Sequence, residues 1–268
     1  MYNKYVERGV KMKKIIKTLF MLVALISLSG CLDDKVISYD SKSEHSNIRF
    51  VNVDNHQTLF DNIQLAINEV SLVEVDFEFE DEENHLVGSF QVALQDTLKD
   101  IGLVLDANFN DEEFKIYIKD RMVWFSYPFK GISGGIKDTL YNFFDELPAI
   151  LQEYDIDWGN EQEIRDALDK LDYRNVDLNE LFKGYSVEYI KVNEAYELTL
   201  TKGKEVININ LDKFYRPIRI TSNEYHVNLT YPSQMELKYP ANLEGFTYMS
   251  IKKALQTAGV NSVIDLIR

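Results

Sequence analysis

The stretch that decides the fold is Val73-Glu74-Val75-Asp76-Phe77-Glu78-Phe79-Glu80. Apolar and acidic side chains alternate along it without a break. Because successive side chains of a β-strand point to opposite faces, the alternation predicts a strand with one buried face and one acidic, solvated face. Such a strand is not stable alone, so the sequence on either side of it has to supply partner strands.

The same two-residue alternation recurs on both sides of the chain centre. It predicts four further strands over residues 86–94, 103–109, 114–118 and 123–127, and about six more over residues 185–239. Short strands at this spacing, separated by polar turns, are typical of an antiparallel meander. Upstream, apolar residues at helical spacing over Leu59–Val70 predict an amphipathic helix, with Thr58 or Asn55 as its N-cap.

A glycine-rich turn and a helical pattern interrupt the alternation. Apolar side chains recur at helical spacing over residues 136–151, and shorter helical patterns continue to residue 183. We therefore expect a helical insert over residues 134–183, whose first part, residues 134–151, acts as a lid. The glycines expected to act as its hinge are Gly131, Gly134 and Gly135.

Together these elements predict an α+β fold. The expected architecture is a single curved antiparallel β-sheet, an unclosed half-barrel, with the mid-chain helical lid packed against it. No evident linker divides residues 55–268, so we assign them to one domain. Two small α+β domains are the alternative.

The N-terminal region carries a secretory signal that ends at the only cysteine of the chain. A basic segment over residues 13–17 precedes an apolar run over residues 19–26, which is about half the length needed to cross a bilayer. The next stretch, Leu28-Ser29-Gly30-Cys31, resembles the bacterial lipobox. This resemblance implies a lipid thioether on Cys31, cleavage before it, and fatty acylation, for example with palmitate, of the new amine. The alternative is a buried free thiol.

The lipobox also predicts where the protein is located. We interpret residues 1–30 as the signal peptide, with residues 1–11 as an upstream extension and Met12 as the start. Residues 31–54 then form the acylated cysteine and a flexible polar tether. We expect the protein to be held by its lipid anchor at the extracytoplasmic face of the cell membrane.

Charge and cysteine content exclude some classes of function. The formal net charge is −15 at pH 7, and a strongly acidic protein is repelled by nucleic acid and by anionic headgroups. Nucleic-acid binding is therefore excluded. With one cysteine, an intramolecular disulfide is impossible.

The order of the predicted elements resembles that of the LolA/LolB lipoprotein-localisation factors and the LppX/LprG lipoproteins, over residues 55–245. The most specific local feature is the stretch Asp120-Arg121-Met122-Val123-Trp124-Phe125-Ser126-Tyr127-Pro128, which is similar to the family's turn, aromatic strand and exit into the helical region. The sequence departs from the family pattern in two places. Arg121 replaces the usual glycine, and residues 126–128 lack the aspartate.

The resemblance implies an apolar hollow that binds a lipid or a lipidated molecule. Our leading hypothesis is a non-catalytic lipoprotein that binds a lipid or other apolar ligand for transfer or shielding. The alternative is a surface lipoprotein with a packed core, which serves as a protein-interaction or structural module. The residues expected to line the hollow and the lid are Phe77, Phe79, Phe90, Leu105, Ile116, Phe125, Leu140, Phe143, Phe144 and Leu147.

A hydrolase is the third hypothesis. Residues 131–135 match the G-x-S-x-G pattern, with Ser133 as the nucleophile. That motif needs a preceding parallel strand and a downstream acid and histidine. The expected meander argues against the parallel strand, and His226 is the only downstream histidine. We therefore favour a hinge and expect no catalytic residue and no cofactor.

No metal site is expected either. Asp106, Asn108 and Asn110 begin like a calcium-binding loop, but Asp111 and Tyr117 occupy the positions where that loop needs glycine and glutamate. The four histidines are scattered and do not have the spacing of zinc ligands.

Overall fold

The computed structural model describes residues 37–41, 48–80, 85–94, 101–126, 135–140, 142, 178–240, 243–250 and 253–254. Strands account for more than half of these residues. The strands in chain order are β1 (Ile37–Asp40), β2 (Leu72–Glu80), β3 (His85–Ala93), β4 (Gly102–Phe109), β5 (Glu112–Lys119), β6 (Met122–Ser126), β7 (Ile136–Thr139), β8 (Ser186–Val192), β9 (Ala195–Lys202), β10 (Glu205–Leu211), β11 (Pro217–Thr221), β12 (Tyr225–Thr230), β13 (Gln234–Leu237) and β14 (Thr247–Tyr248). The described helices are α1 (His56–Asn68) and the single turn α2 (Leu178–Leu181), and Leu243–Gly245 forms a 3-10 turn.

Twelve of these strands form one open sheet in the order β14-β7-β6-β5-β4-β3-β2-β12-β11-β10-β9-β8. The sheet is built from two antiparallel meanders, β2 to β7 and β8 to β12, which are joined where β2 pairs with β12. At one edge, β14 pairs in parallel with β7, so the sheet is mixed. The other edge is β8.

Cross-strand pairing sorts the side chains of the sheet onto two faces. We call the face that carries Val75, Phe77 and Phe79 the inner face, and the opposite one the outer face. Since directly paired residues of antiparallel strands lie on the same face, apolar side chains form continuous rows across the inner face. One such row is Leu229, Val75, Phe90, Leu105, Ile116, Phe125 and Ile136.

Helix α1 covers the inner face at the β8 end of the sheet. Its N-cap is Asn55, whose side chain accepts a hydrogen bond from the Thr58 backbone N–H at 2.9 Å. The buried face of the helix packs against the inner-face side chains of β9 and β10. The helix predicted from the apolar spacing over residues 59–70 is therefore confirmed, and it begins three residues earlier. The residues that form this contact are Leu59, Phe60, Ile63, Leu198, Leu200, Ile207 and Ile209.

Strands β1 and β13 form a separate two-stranded antiparallel sheet. The pair packs near one end of β2, β3 and β4, where Met235 and Leu237 bury Leu72 and Ala93. The contact is close: a Cβ added to Gly102 would lie 2.5 Å from the Leu237 Cδ1 atom. Residues 37–40, which lie in the segment expected to be a flexible tether, are thus part of the folded structure.

The predicted fold class is wrong in its architecture. The described chain is mostly β rather than α+β, its large sheet is open and mixed rather than an antiparallel half-barrel, and no mid-chain helical lid is present among the described residues. The expected lid begins instead with strand β7. Its residues Ile136 and Leu140 have a spacing compatible with a helix, but Ile136–Thr139 pairs with the edge of β6, and this tertiary pairing decides the conformation.

Candidate functional site

Six of the residues expected to line a hollow lie side by side on the inner face. Phe77 and Phe79 are on β2, Phe90 on β3, Leu105 on β4, Ile116 on β5 and Phe125 on β6. Their rings and aliphatic groups are in contact: the Phe77 ring centroid lies 6.1 Å from that of Phe90. Leu140, expected to belong to the lid, packs into the same cluster.

Burial divides these six residues into two groups. Phe77, Phe79, Phe90 and Leu105 are at most 3% exposed, so they are core residues in this structure. Ile116 and Phe125 are only partly buried. The accessible members of this group therefore lie at the β5 and β6 end of the inner face.

An apolar cavity of about 140 Å³ lies at this end of the inner face. Its lining is almost entirely apolar. It has about the volume of an engineered apolar cavity that stays dry and binds benzene. It can therefore hold an aryl ring or a short stretch of aliphatic chain. The residues that line it are Ile116, Val123, Phe125, Ile136, Lys137, Asp138 and Met249.

The parallel pairing of β14 with β7 completes the cavity. The Thr247 backbone N–H donates to the Gly135 carbonyl at 3.0 Å, and the Met249 N–H donates to the Lys137 carbonyl at 3.0 Å. These bonds place Met249 beside Ile136 and Asp138 at the cavity wall. One part of the cavity wall thus comes from a segment more than a hundred residues away in sequence from β7.

Asp138 is the one acidic side chain at the wall of this apolar cavity, within the part of the chain that the structure describes. It lies on the inner face opposite Val123 and is 6% exposed. Its Oδ1 atom accepts hydrogen bonds from the Thr139 N–H at 2.7 Å and from the Asn142 Nδ2 at 2.9 Å. A buried carboxylate in an apolar surface is costly unless it is hydrogen-bonded, and these two donors offset part of that cost.

Several expected site residues lie outside the described residues. Among the glycines of the expected hinge, Gly135 is described: it has a φ of +100° directly before β7, and a side chain at that position would collide with the Phe125 carbonyl. The expected site residues outside the described ranges are Cys31, Gly131, Gly134, Phe143, Phe144 and Leu147, and the candidate nucleophile Ser133 is outside them too.

The outer face carries a larger and strongly acidic concavity of about 670 Å³. Asp76, Glu78, Asp106 and Glu113 all contribute to its lining. Lys115 offsets part of this charge, because its Nζ lies 2.7 Å from the Asp106 Oδ2 and 2.8 Å from the Glu113 Oε1. Hydrogen bonds to these two carboxylates raise the pKa of Lys115 and outweigh the opposing effect of burial.

The structure gives no support to a metal site among the described residues. There, no group of three or more histidine, cysteine, aspartate or glutamate side chains is arranged to hold a metal ion. Asp106 of the calcium-like stretch is paired with Lys115. Asn110 and Asp111, with φ of +47° and +70°, form the tight turn between β4 and β5. His85 pairs with Glu78 at 3.2 Å.

Sequence reasoning missed five residues of the cavity wall as site residues: Val123, Ile136, Lys137, Asp138 and Met249. Val123 was visible in the alternation of β6. Asp138 lies in the stretch whose spacing predicts a helix over residues 136–151, and only the pairing of β7 with β14 brings it together with Met249.

The chain matches no protein-family model, and no curated protein is significantly similar to it. Among the described residues, no helix combines the length and the apolar character that a membrane-spanning segment requires.

Proposed function

We propose that this protein is a lipid-anchored, extracytoplasmic lipoprotein that binds a lipid or another apolar molecule at the inner face of its sheet. The observation that carries the proposal is the apolar cavity lined by Ile116, Val123, Phe125, Ile136 and Met249. It lies at the end of an apolar row that runs across seven strands. Burial of apolar surface would then drive binding.

The anchor is proposed from the lipobox at residues 28–31 and the basic and apolar segments before it. Two or three acyl chains give stable membrane attachment, since each buried methylene contributes about 0.8 kcal/mol. The relationship to the LolA/LolB and LppX/LprG proteins remains a prediction.

A non-catalytic interaction or structural module is the second candidate. The observation that favours it is the nearly complete burial of Phe77, Phe79, Phe90 and Leu105, which form a packed core rather than an open hollow. A fully packed inner face would leave the outer face as the surface for a protein partner.

The test of binding is to purify the full chain from bacterial membranes, extract it with organic solvent and identify lipid by mass spectrometry. We expect a lipid at near one-to-one ratio, reduced at least severalfold by Ile116→Gln. Val87→Gln, on the exposed outer face, is the matched control. If the wild-type protein yields no stoichiometric lipid, the interaction module is the better explanation.

The anchor has a separate test. Cys31→Ser should release the protein from the membrane fraction and abolish incorporation of radioactive palmitate. Retention of the variant in the membrane fraction contradicts the lipobox assignment.

A further inference from the structure

Asp138 gives the apolar cavity one polar point. Both of the N–H groups that reach its carboxylate, Thr139 N and Asn142 Nδ2, bond to Oδ1, and no donor from the described residues reaches Oδ2. A carboxylate oxygen has capacity for more than one donor. Asp138 is 6% exposed and belongs to the lining of the cavity, where a bound group can supply a further donor.

The charge around this carboxylate is not balanced within the cavity. Lys137 is the basic residue of the lining, but its Nζ atom reaches the Leu243 carbonyl at 3.4 Å. It lies opposite Trp124, on the outer face, whereas Asp138 lies opposite Val123, on the inner face. A group that enters the cavity therefore meets a negative charge in apolar surroundings, where electrostatic interactions are strong.

We propose that Asp138 determines the specificity of the cavity. The cavity takes the end of an amphipathic molecule that bears a hydrogen-bond donor without negative charge, a hydroxyl or an ammonium group. It rejects carboxylates and phosphates. A donor can bond to Oδ2, while the apolar part of the molecule contacts Ile116, Phe125 and Ile136. An anionic group would lose its hydration and face the Asp138 charge with no bond to compensate. The inference rests on the proposed function, because it specifies the ligand of the same face.

The substitution that isolates this effect is Asp138→Asn. Asparagine keeps an Oδ1 acceptor for the Thr139 and Asn142 donors, so the local hydrogen bonds are retained. The negative charge is removed, and the Oδ2 acceptor is replaced by an Nδ2 donor, which can bond to a carboxylate. Glu113→Gln removes one negative charge on the exposed outer face, opposite to the face that carries Asp138, and is the matched control.

The experiment is photolabelling of the full chain in nanodiscs of phosphatidylcholine. The probes are three twelve-carbon chains with a diazirine near the head group, which is a hydroxyl, an ammonium or a carboxylate. We expect the alcohol and the amine to label residues 116–125, 136–138 or 249 at concentrations at least about tenfold lower than the carboxylate. In Asp138→Asn, the carboxylate probe should label the cavity at a concentration close to that of the alcohol probe. In Glu113→Gln, the ratio of these two concentrations should be the same as in the wild-type protein.

Three results overturn the inference. The first is equal labelling of the wild-type protein by the carboxylate and alcohol probes. The second is a folded Asp138→Asn variant in which the ratio of carboxylate to alcohol labelling is the same as in the wild-type protein. The third is labelling confined to other inner-face peptides, such as those with Phe77 or Phe90, which leaves the proposed function intact. If no probe labels the inner face at all, the proposed function fails together with the specificity.

Discussion

Gly88 lies directly opposite Ala107 on neighbouring strands of the inner face, and the two backbones approach so closely that no side chain fits between them. A Cβ added to Gly88 would lie 2.7 Å from the Ala107 Cβ and 2.6 Å from the Asp106 carbonyl oxygen. Phe77 and Phe114 flank this small pair in the same cross-strand row. The row is therefore narrow at its centre and aromatic on both sides.

Gly88→Ala should destabilise the protein by about 1–3 kcal/mol, because the atoms it meets are backbone atoms and a short side chain that cannot move aside. The free energy of unfolding, measured by urea titration, is the readout. Ser89→Ala, one position along the strand on the outer face, should have a much smaller effect. Equal stability of Gly88→Ala and wild type would show that β3 and β4 can separate at no cost.

Arg216→Lys should also reduce stability, by about 1–3 kcal/mol. Arg216 Nε lies 2.8 Å and its Nη2 lies 2.6 Å from the Asp212 Oδ2, and the guanidinium stacks 4.5 Å from the Tyr231 ring centroid. A lysine ammonium cannot make both contacts in this planar geometry. Arg219→Lys, at an exposed position of the same meander, is the control in the same urea titration. If Arg219→Lys lowers the free energy of unfolding as much as Arg216→Lys does, the bonds between Arg216 and Asp212 are not the cause of the loss.

Stability should fall between about pH 10 and pH 12, and Tyr185 should account for part of the fall. Burial, followed by the hydrogen bond to Glu205, raises the pKa of Tyr185 from 10.0 to about 12. Between these values the unfolded chain loses the phenolic proton and the folded chain keeps it, so stability decreases as pH rises.

The measurement is the urea midpoint at pH 9 and at pH 11 for wild type and Tyr185→Phe. The variant should lose less stability between the two pH values. Other buried tyrosines, such as Tyr231, have raised pKa values too, so a smaller fall is expected to remain. If the urea midpoint falls by the same amount in both proteins between pH 9 and pH 11, Tyr185 does not contribute to the loss of stability.

Lys115→Ala should weaken the protein by about 1 kcal/mol or less at low salt, and the difference should shrink in high salt. The loss is small because the Asp106 and Glu113 side chains are 49% and 64% exposed. The loss of stability in Lys115→Ala should still exceed the loss caused by removing a lysine that pairs with no carboxylate, because Asp106 and Glu113 both lose their partner. Thermal unfolding at two salt concentrations is the readout, with Lys204→Ala in an exposed turn as the control. A difference that does not depend on salt would argue for packing rather than charge.

The alternation of apolar and polar residues was enough to predict β2 to β6 and most strands from β8 to β13, because most of them bury the inner face and expose much of the outer face. On β5 and β6 the outer face is also partly buried, at Tyr117 and Trp124. Local chemistry offered Thr58 or Asn55 as the N-cap of α1, and the structure has Asn55 in that position. The strands that were missed are short and lack this signal. Ile37–Asp40, Ile136–Thr139 and Thr247–Tyr248 become strands because a partner edge, distant in sequence, is available to each.

The candidate site was predictable only in part for the same reason. Ile116 and Phe125 belong to predicted strands and were identified. Asp138 and Met249 reach the cavity through the pairing of β7 with β14, and nothing in their local sequence predicts that contact. A helical pattern over residues 136–151 pointed instead to a lid.

The arrangement of the sheet as two meanders also has a consequence for how the protein reaches its folded state. Within each meander every strand pairs with its neighbour in sequence, so the loops to be closed are short and the entropic cost of closing them is low. The seam between β2 and β12 joins residues about 150 positions apart, and β7 gains β14 only when the last part of the chain is present. Contacts of such long sequence separation form slowly. A chain synthesised from its N-terminus can assemble β2 to β7 first, but it presents two open strand edges until residues 225–248 arrive to cover them.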